Sequence, residues 1–179
     1  MNPNEPPKEN TTGLLRLFVY GTLKRGYWNH DRFCRGVLSV EEAVVRGRLY
    51  ELPSGIPVLE VPEADVLAHG TAGPLADVAT QARLAAEFAA RAAHLEPGEN
   101  GAPGGHWGPV CGELLTFDDP ETRLPAIDHL EGFLPGGPSL YRRVLVRLAN
   151  SSVVSLSVAW AYVLGVDIER ERCRRLPGM

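Results

Sequence analysis

The segment between Leu15 and Gly26 predicts a β-strand that ends in a tight turn. Mostly apolar, β-forming residues occupy positions 15–20, and Gly21 interrupts them. A hydroxyl residue, two cations and a second glycine follow in the order Thr-Leu-Lys-Arg-Gly. Such a turn exposes backbone N–H groups beside positive charge, and this combination favours binding of an anion. An ordinary connection with solvated cations would have the same sequence, so the turn by itself leaves both interpretations open.

The length, composition and net charge of the chain indicate one ordinary domain of a soluble protein. The chain has 179 residues, of which 44% are hydrophobic and 22% charged, and this is enough to bury a substantial core. The net charge of −4 argues against a nucleic-acid-binding protein, which usually carries a basic surplus. No apolar run approaches the roughly 18 residues that a membrane span needs. Residues 1–12 are polar and unlike a signal peptide, so we expect a disordered leader and a cytoplasmic protein.

The order of strands and helices indicates an α+β domain, because regular βαβ alternation is missing. About six strands and short helices favour a mostly antiparallel sheet or a small barrel. The domain is predicted to span residues 13–165, with an Ala-rich helical insertion at about 63–108 and a charged tail at 166–179. The predicted strands are residues 14–20, 37–52, 56–61, 109–117, 141–148 and 153–163, and the predicted helices are residues 28–34, 75–95 and 120–131.

Single residues within these segments carry local predictions. Gly47 and Gly112 lie inside strands, where glycine marks a bulge or a close approach of two backbones. Asn29 or Asp31 is expected to cap the first helix. Asp118 or Asp119 is expected to cap the third helix, which Pro120 opens and Gly132 ends.

Glu131 is the strongest candidate for acid–base chemistry. It closes a helix that has an apolar stripe, and both the helix dipole and apolar neighbours would raise the pKa of its carboxyl. A carboxyl with such a pKa can exchange a proton near neutral pH. Asp128 lies one turn earlier on the same face, and we assign it a structural role. The alternative for Glu131 is a solvated helix end paired with Arg142 or Arg143.

Metal and nucleophile signals are weak throughout the sequence. The five histidines show no HxH or HExxH spacing, so we expect no metal site. The three cysteines lie far apart and form no CxxC pair, which argues against a disulfide framework and against a cysteine nucleophile. The sequence also contains no GxSxG elbow and no full P-loop.

Several motifs occur together in one order along the chain, and this order is more informative than any of them alone. The chain resembles the γ-glutamylcyclotransferase-like superfamily, especially its γ-glutamylamine cyclotransferase and AIG2-like branch, over roughly residues 15–62 and 109–163. The residues that carry the resemblance are Tyr20-Gly21-Thr22-Leu23-Lys24-Arg25-Gly26, then Asn29, then Asp128-x-x-Glu131-Gly132, and then Tyr141-x-Arg143.

The resemblance implies a small mixed, mostly antiparallel β-barrel with flanking short helices. It also implies that the turn after the first strand holds the α-carboxylate of a γ-glutamyl substrate, and that Glu131 is the catalytic acid/base. Backbone N–H groups of Gly21, Thr22 and Leu23 would form the carboxylate cradle. Tyr20 or Tyr141 would steady the developing oxyanion.

In such a reaction the substrate's own α-amine attacks its γ-carbonyl and closes 5-oxoproline, so no protein nucleophile is needed. Neither a metal nor an organic cofactor is expected, and the expected partner is the small γ-glutamyl substrate. We expect a monomer or a homodimer, with no membrane or nucleic-acid partner. Two other interpretations stay open. One is a binding module that holds a small carboxylate without turnover, and the other is an interaction protein that uses the inserted helix.

Overall fold

A computed structural model describes residues 13–92, 107–148, 157–165 and 174–176 of the chain. The described residues form one eight-stranded sheet and three α-helices. The predicted leader, part of the predicted insertion and most of the predicted tail lie outside these residues. The strands are β1 (Leu15–Val19), β2 (Ser39–Glu51), β3 (Pro57–Glu60), β4 (Val66–His69), β5 (Gly108–Phe117), β6 (Tyr141–Arg147), β7 (Val158–Leu164) and β8 (Arg174–Leu176), and the helices are α1 (Trp28–Phe33), α2 (Pro74–Ala92) and α3 (Pro120–Glu131).

The sheet is mostly antiparallel, and this confirms the predicted α+β class. Its strand order is β3-β2-β5-β1-β7-β6-β4, and β8 pairs with β2 off this path. Within the described residues, β1 and β7 form the one parallel pair. The order is open between β3 and β4, so the predicted barrel is approached without being closed. Two of the eight strands, β4 and β8, were not predicted, because four and three residues are too few to show a periodic pattern.

Side-chain alternation along the strands divides the core into two clusters. Leu17 and Val19 of β1 belong to a cluster that also includes Leu124 and Ile127 of α3. Phe18, between them, belongs to a second cluster whose fully buried members all come from the strands or their immediate ends. One face of the sheet therefore packs on the helices, while the other face curls onto itself, as expected for a strand period of two residues.

Two strand glycines confirm the predicted close approach of backbones. A Cβ on Gly47 would lie 2.6 Å from the carbonyl oxygen of Glu60 on β3. A Cβ on Gly112 would overlap the carbonyl oxygen of Val19 and the ring of Phe18 on β1. No side chain fits at either place, so glycine allows β2 and β5 to pair tightly with their neighbours.

The helix ends agree only in part with the predictions. Gly132 ends α3 in the left-handed conformation, with φ of 65°, as predicted. The predicted cap of α1 is wrong, whereas the predicted Asp119 does hold the N-cap position of α3 without making a side-chain cap bond. Tyr27 holds the N-cap position of α1 and makes no side-chain cap bond. Asp119 occupies the N-cap of α3, but its carboxylate accepts hydrogen bonds from Arg123 at 2.9 and 3.2 Å instead.

Candidate functional site

One cavity collects every site residue that the sequence predicted. It has a volume of about 550 Å³ and is lined by the residues between Tyr20 and Leu23, by Glu131 and by Tyr141. The turn after β1 supplies one side, the C-terminal end of α3 another, and the start of β6 a third. More than a hundred residues of sequence separate the turn from Glu131, so the fold alone brings them together.

The turn is fixed from both of its ends. The backbone N–H of Lys24 donates to the carbonyl of Gly21 at 3.1 Å, which closes the turn. Arg25 donates from its backbone N–H and from Nε to the carboxylate of Glu113 on β5, at 2.8 and 3.0 Å. The carbonyl of Leu23 lies 2.8 Å from His30 Nδ1. These contacts position the turn on the sheet, and neither Lys24 nor Arg25 is among the residues that line the cavity.

The backbone N–H groups of Gly21, Thr22 and Leu23 have no hydrogen-bond acceptor within the described residues. Buried or partly buried backbone donors are normally paired with protein or with solvent. Three successive unpaired donors at the edge of a cavity are able to bind a carboxylate. This arrangement supports the predicted cradle.

Asn29 orients the hydroxyl of Thr22. The buried Asn29 amide donates from Nδ2 to Thr22 Oγ1 at 2.8 Å. With that oxygen accepting, the hydroxyl hydrogen of Thr22 can be donated toward the cavity. Asn29 Oδ1 is buried and has no partner among the described residues, and Asn29 also lines the cavity. The sequence indicated Asn29 as a candidate helix cap and as part of the family motif, and its hydrogen bond to Thr22 was not predicted.

Glu131 has the environment expected of a proton-transfer group. Burial raises the pKa of its carboxyl from 4.5 to about 7. Its carboxylate makes no hydrogen bond or ion pair with any described residue, so the alternative pairing with Arg142 or Arg143 is wrong. The predicted rise in pKa is found, and its cause is the predicted desolvation by burial.

Arg143 instead joins α2 to α3 through a buried network. Its side chain is 1% exposed, with Nη1 2.9 Å from Asp77 Oδ2 and Nε 3.0 Å from Asp128 Oδ1. These are ion pairs by distance, although the N–H directions are not aligned for hydrogen bonds. Arg143 also donates to the carbonyl of Thr71 at 2.8 Å, and the guanidinium lies over the rings of two buried aromatic residues.

Asp128 has the structural role that the sequence predicted, through partners that it did not predict. Tyr162 donates its hydroxyl to Asp128 Oδ1 at 2.6 Å, and the same oxygen faces Arg143. Burial raises the pKa of Asp128, while the hydrogen bond from Tyr162 and the charge of Arg143 oppose that rise. Asp128 therefore anchors the last turn of α3, on which Glu131 is carried.

The two predicted tyrosines line the cavity, but their hydroxyls are engaged elsewhere. Tyr20 donates to the carbonyl of Tyr162 at 2.8 Å and accepts from the backbone N–H of Leu59 at 3.1 Å. Tyr141 donates to the carbonyl of Pro57 at 2.8 Å. Burial raises the pKa of both hydroxyls. Each tyrosine hydroxyl already donates its proton to a backbone carbonyl, which argues against the predicted role in stabilising an oxyanion. The two side chains instead form part of the cavity wall.

Asp77, the buried partner of Arg143, is a residue that the sequence did not reveal. It lies in the first turn of α2, inside the segment predicted as an insertion. Its carboxylate also accepts from the backbone N–H and the hydroxyl of Thr71, at 3.0 and 2.8 Å. An aspartate at a helix start is ordinarily a solvated residue that suits the dipole, so nothing local signals this burial.

The described part of the chain has no metal-binding cluster and no membrane-spanning helix. Its His, Cys, Asp and Glu side chains form no group of three or more that could hold a metal ion. None of its helices combines the length and apolar character that crossing a bilayer requires.

The fold is a small α+β domain in which residues with unpaired backbone donors and one desolvated carboxyl line the same cavity. The sequence model of the family described as "Gamma-glutamyl cyclotransferase, AIG2-like" matches residues 17–87 and 92–178. Because the match spans most of the chain, the protein belongs to this family, and the resemblance found in the sequence is confirmed. The family description indicates a cyclotransferase in the general sense.

Two solved structures are similar to this chain at low identity. One, YkqA from Bacillus subtilis, is 18% identical with a TM-score of 0.44, and the match covers 86% of this chain and 38% of that one. Another, an AIG2-like protein from Mus musculus, is 20% identical with a TM-score of 0.44, over 89% of this chain and 82% of that one. This chain thus spans well under half the length of YkqA. No curated protein matches the chain.

Proposed function

We propose that this protein is a γ-glutamyl cyclotransferase that releases 5-oxoproline from a small γ-glutamylamine or a related γ-glutamyl amide. One observation carries the proposal. Gly21, Thr22 and Leu23, whose backbone N–H groups have no acceptor among the described residues, line the same cavity as Glu131, whose carboxylate is also unpaired there. A γ-glutamyl group has an α-carboxylate at one end and a reacting amine and carbonyl further along, so these two features suit its two ends.

The proposed reaction needs one proton-transfer group and a fixed substrate. The Glu131 carboxylate takes a proton from the substrate's α-ammonium, and the freed amine attacks the γ-carbonyl carbon to form the ring C–N bond. The carboxyl then returns its proton to the nitrogen of the leaving amine, and the original amide C–N bond breaks. The second proton lost from the ring nitrogen leaves with the amine as its ammonium ion. A pKa of about 7 suits both proton transfers near neutral pH.

The cradle contributes by holding the substrate in a folded conformation. The α-amine and the α-carboxylate are bonded to the same α-carbon, so fixing the carboxylate on the turn limits the positions that the amine can take. Ring closure then becomes a reaction between two groups that are already close, and this proximity lowers the barrier substantially. The Thr22 hydroxyl, which Asn29 orients, adds a side-chain donor beside the backbone donors.

The inserted helix supports this proposal more than the alternative of an interaction protein. Val78 and Phe88 of α2 are buried in the protein's own core. Gln81, also buried, accepts from the backbone N–H of Arg16 and donates to the carbonyl of Leu14, each at 2.9 Å. The apolar face that would contact another protein is therefore used to pack α2 on the domain.

Replacement of Glu131 by glutamine tests the proposal. The wild-type protein should convert a panel of γ-glutamyl amides to 5-oxoproline, measured by chromatography with mass detection. Glu131→Gln keeps the shape of the side chain but cannot exchange a proton, so 5-oxoproline release should fall by about a hundredfold or more. Glu121→Gln, on the exposed first turn of the same helix, is the matched control and should retain wild-type activity.

Two outcomes would contradict the proposal. An active Glu131→Gln protein would remove its acid–base assignment. Ligand-dependent stabilisation by γ-glutamyl compounds with no 5-oxoproline from any of them would indicate instead a binding module that uses the same cavity.

A further inference from the structure

Three exposed apolar side chains converge on the mouth of the cavity. Trp28 at the start of α1 is 63% exposed, Ile56 before β3 is 42% exposed, and Leu140 before β6 is 39% exposed, and all three line the cavity. Single exposed apolar residues are ordinary at a protein surface. Three of them from three separate segments around one opening are unusual, and such patches mark binding sites.

Charged side chains are sparse around the same opening. Among the described residues that line the cavity, the ionisable ones are Glu131, His129 and three tyrosines, and none is a lysine or an arginine. A carboxylate at the far end of a bound substrate would find no lysine or arginine among these lining residues. A distal ammonium would find no carboxylate except Glu131, which the proposed reaction already uses. The outer part of the cavity therefore suits an uncharged group.

The cavity is also large enough for more than the glutamyl part of a substrate. Cavities of roughly 300–1,000 Å³ hold molecules of drug size, and this one has about 550 Å³. With the α-carboxylate on the turn and the reacting carbonyl beside Glu131, the amine portion of an amide would extend toward the mouth.

We infer that this cavity selects γ-glutamyl amides of uncharged, apolar primary amines, whose hydrocarbon part packs against Trp28, Ile56 and Leu140. The inference rests on the proposed function and gives its substrate class. It separates these amides from γ-glutamyl peptides, whose amine part carries a carboxylate, and from amides of diamines, whose amine part carries an ammonium. The bond that breaks is the same γ-amide C–N bond, and the apolar amine leaves with the transferred protons.

A matched panel of synthetic amides tests the inference. The panel consists of γ-glutamyl propyl-, butyl- and pentylamide together with two charged analogues of the pentylamide, one ending in a carboxylate and the other in an ammonium. For the wild-type protein, kcat/KM should rise by about threefold for each added methylene. Either terminal charge should lower kcat/KM by at least about tenfold relative to the pentylamide.

Two neighbouring variants connect the selectivity to the mouth of the cavity. Trp28→Ala should weaken the dependence of kcat/KM on alkyl chain length, so that kcat/KM falls about tenfold for the pentylamide and changes little for the propylamide. Tyr27→Ala is the matched control, because Tyr27 is 50% exposed, adjacent in sequence and outside the cavity lining. It should leave the whole series unchanged.

Failure of this inference and failure of the proposed function give different results. If 5-oxoproline forms but the charged analogues react as well as the pentylamide, or if Trp28→Ala lowers all substrates equally, the inferred substrate class is wrong and the activity stands. If no amide is turned over, the proposed function fails, and calorimetric binding of the same amides decides the inference. An affinity order of pentyl above propyl above the charged analogues would support the apolar subsite, and equal affinities would overturn it.

Discussion

Glu131 should make the protein less stable above neutral pH, and Glu131→Gln should remove this cost. In the folded protein the pKa of Glu131 is raised from 4.5 to about 7 by burial. Between these values the folded state binds more protons than the unfolded state, so the free energy of unfolding falls as pH rises. The favourable contribution of the protonated carboxyl is fully present below the unfolded pKa and is lost as pH rises through about 7.

The size of the effect follows from the shift. A change from 4.5 to about 7 corresponds to up to about 3 kcal/mol, at 1.36 kcal/mol for each pKa unit. This is an upper value, because the Glu131 side chain is only partly buried and the solvent reduces the penalty. Glutamine has nearly the same shape and no titrating proton. The variant should therefore be about 1–3 kcal/mol more stable than the wild type at pH 8, and little different at pH 4.5.

Urea unfolding between pH 4.5 and 8.5 measures the effect as the difference between the two proteins at each pH. Other titrating groups contribute equally to both curves and cancel. Glu121→Gln should follow the wild-type curve throughout, because its carboxyl is exposed. Parallel curves for wild type and Glu131→Gln across the whole range, or a variant less stable at pH 8, would refute the argument that Glu131 is desolvated.

Three further predictions concern stability and substrate binding. Gly112→Ala should lose at least about 2 kcal/mol of unfolding free energy, since its Cβ would overlap a neighbouring strand, whereas Gly108→Ala in the same strand meets nothing within 4 Å and should lose less than about 1 kcal/mol. Asp77→Ala should cost about 3–5 kcal/mol by leaving a buried guanidinium without one partner, whereas Arg83→Ala, from an exposed pair on the same helix, should cost less than about 1 kcal/mol. Chemical denaturation measures the free energy of unfolding of each variant and of its control. Asn29→Ala should raise KM about three- to tenfold in steady-state kinetics, because the hydroxyl that it orients loses one hydrogen bond.

The sequence predicted the two main parts of the site, the turn and Glu131, better than it predicted the surrounding residues that hold them in place. The turn at Gly21 could be predicted because a glycine after a strand, and the backbone donors that such a turn exposes, are local properties of the sequence. Glu131 was readable because it lies at a helix end beside an apolar stripe and within a recognisable motif. Their meeting in one cavity depended on sheet order, which local patterns do not specify, and only the resemblance to a family suggested it.

Other parts of the site could not be predicted for physical reasons. Whether Asp77 is solvated or buried depends on where α2 packs, and the Arg143 side chain that it meets lies on a strand 66 positions later. The hydroxyls of Tyr20 and Tyr141 looked suitable for an oxyanion, but the backbone carbonyls that they bind are set by tertiary packing. The strand β4 escaped notice because a segment of four residues gives no usable periodicity.

The proposed function requires that a γ-glutamyl group binds between the turn and Glu131. A crystal structure of Glu131→Gln with a bound γ-glutamyl alkylamide tests it most directly, because the variant should bind the amide without consuming it. We predict the α-carboxylate within about 3 Å of the backbone nitrogens of Gly21, Thr22 and Leu23, and the α-amine within hydrogen-bond reach of the residue-131 side chain. A ligand bound outside this cavity, or one whose α-carboxylate points away from the turn, would show that this mode of binding is wrong.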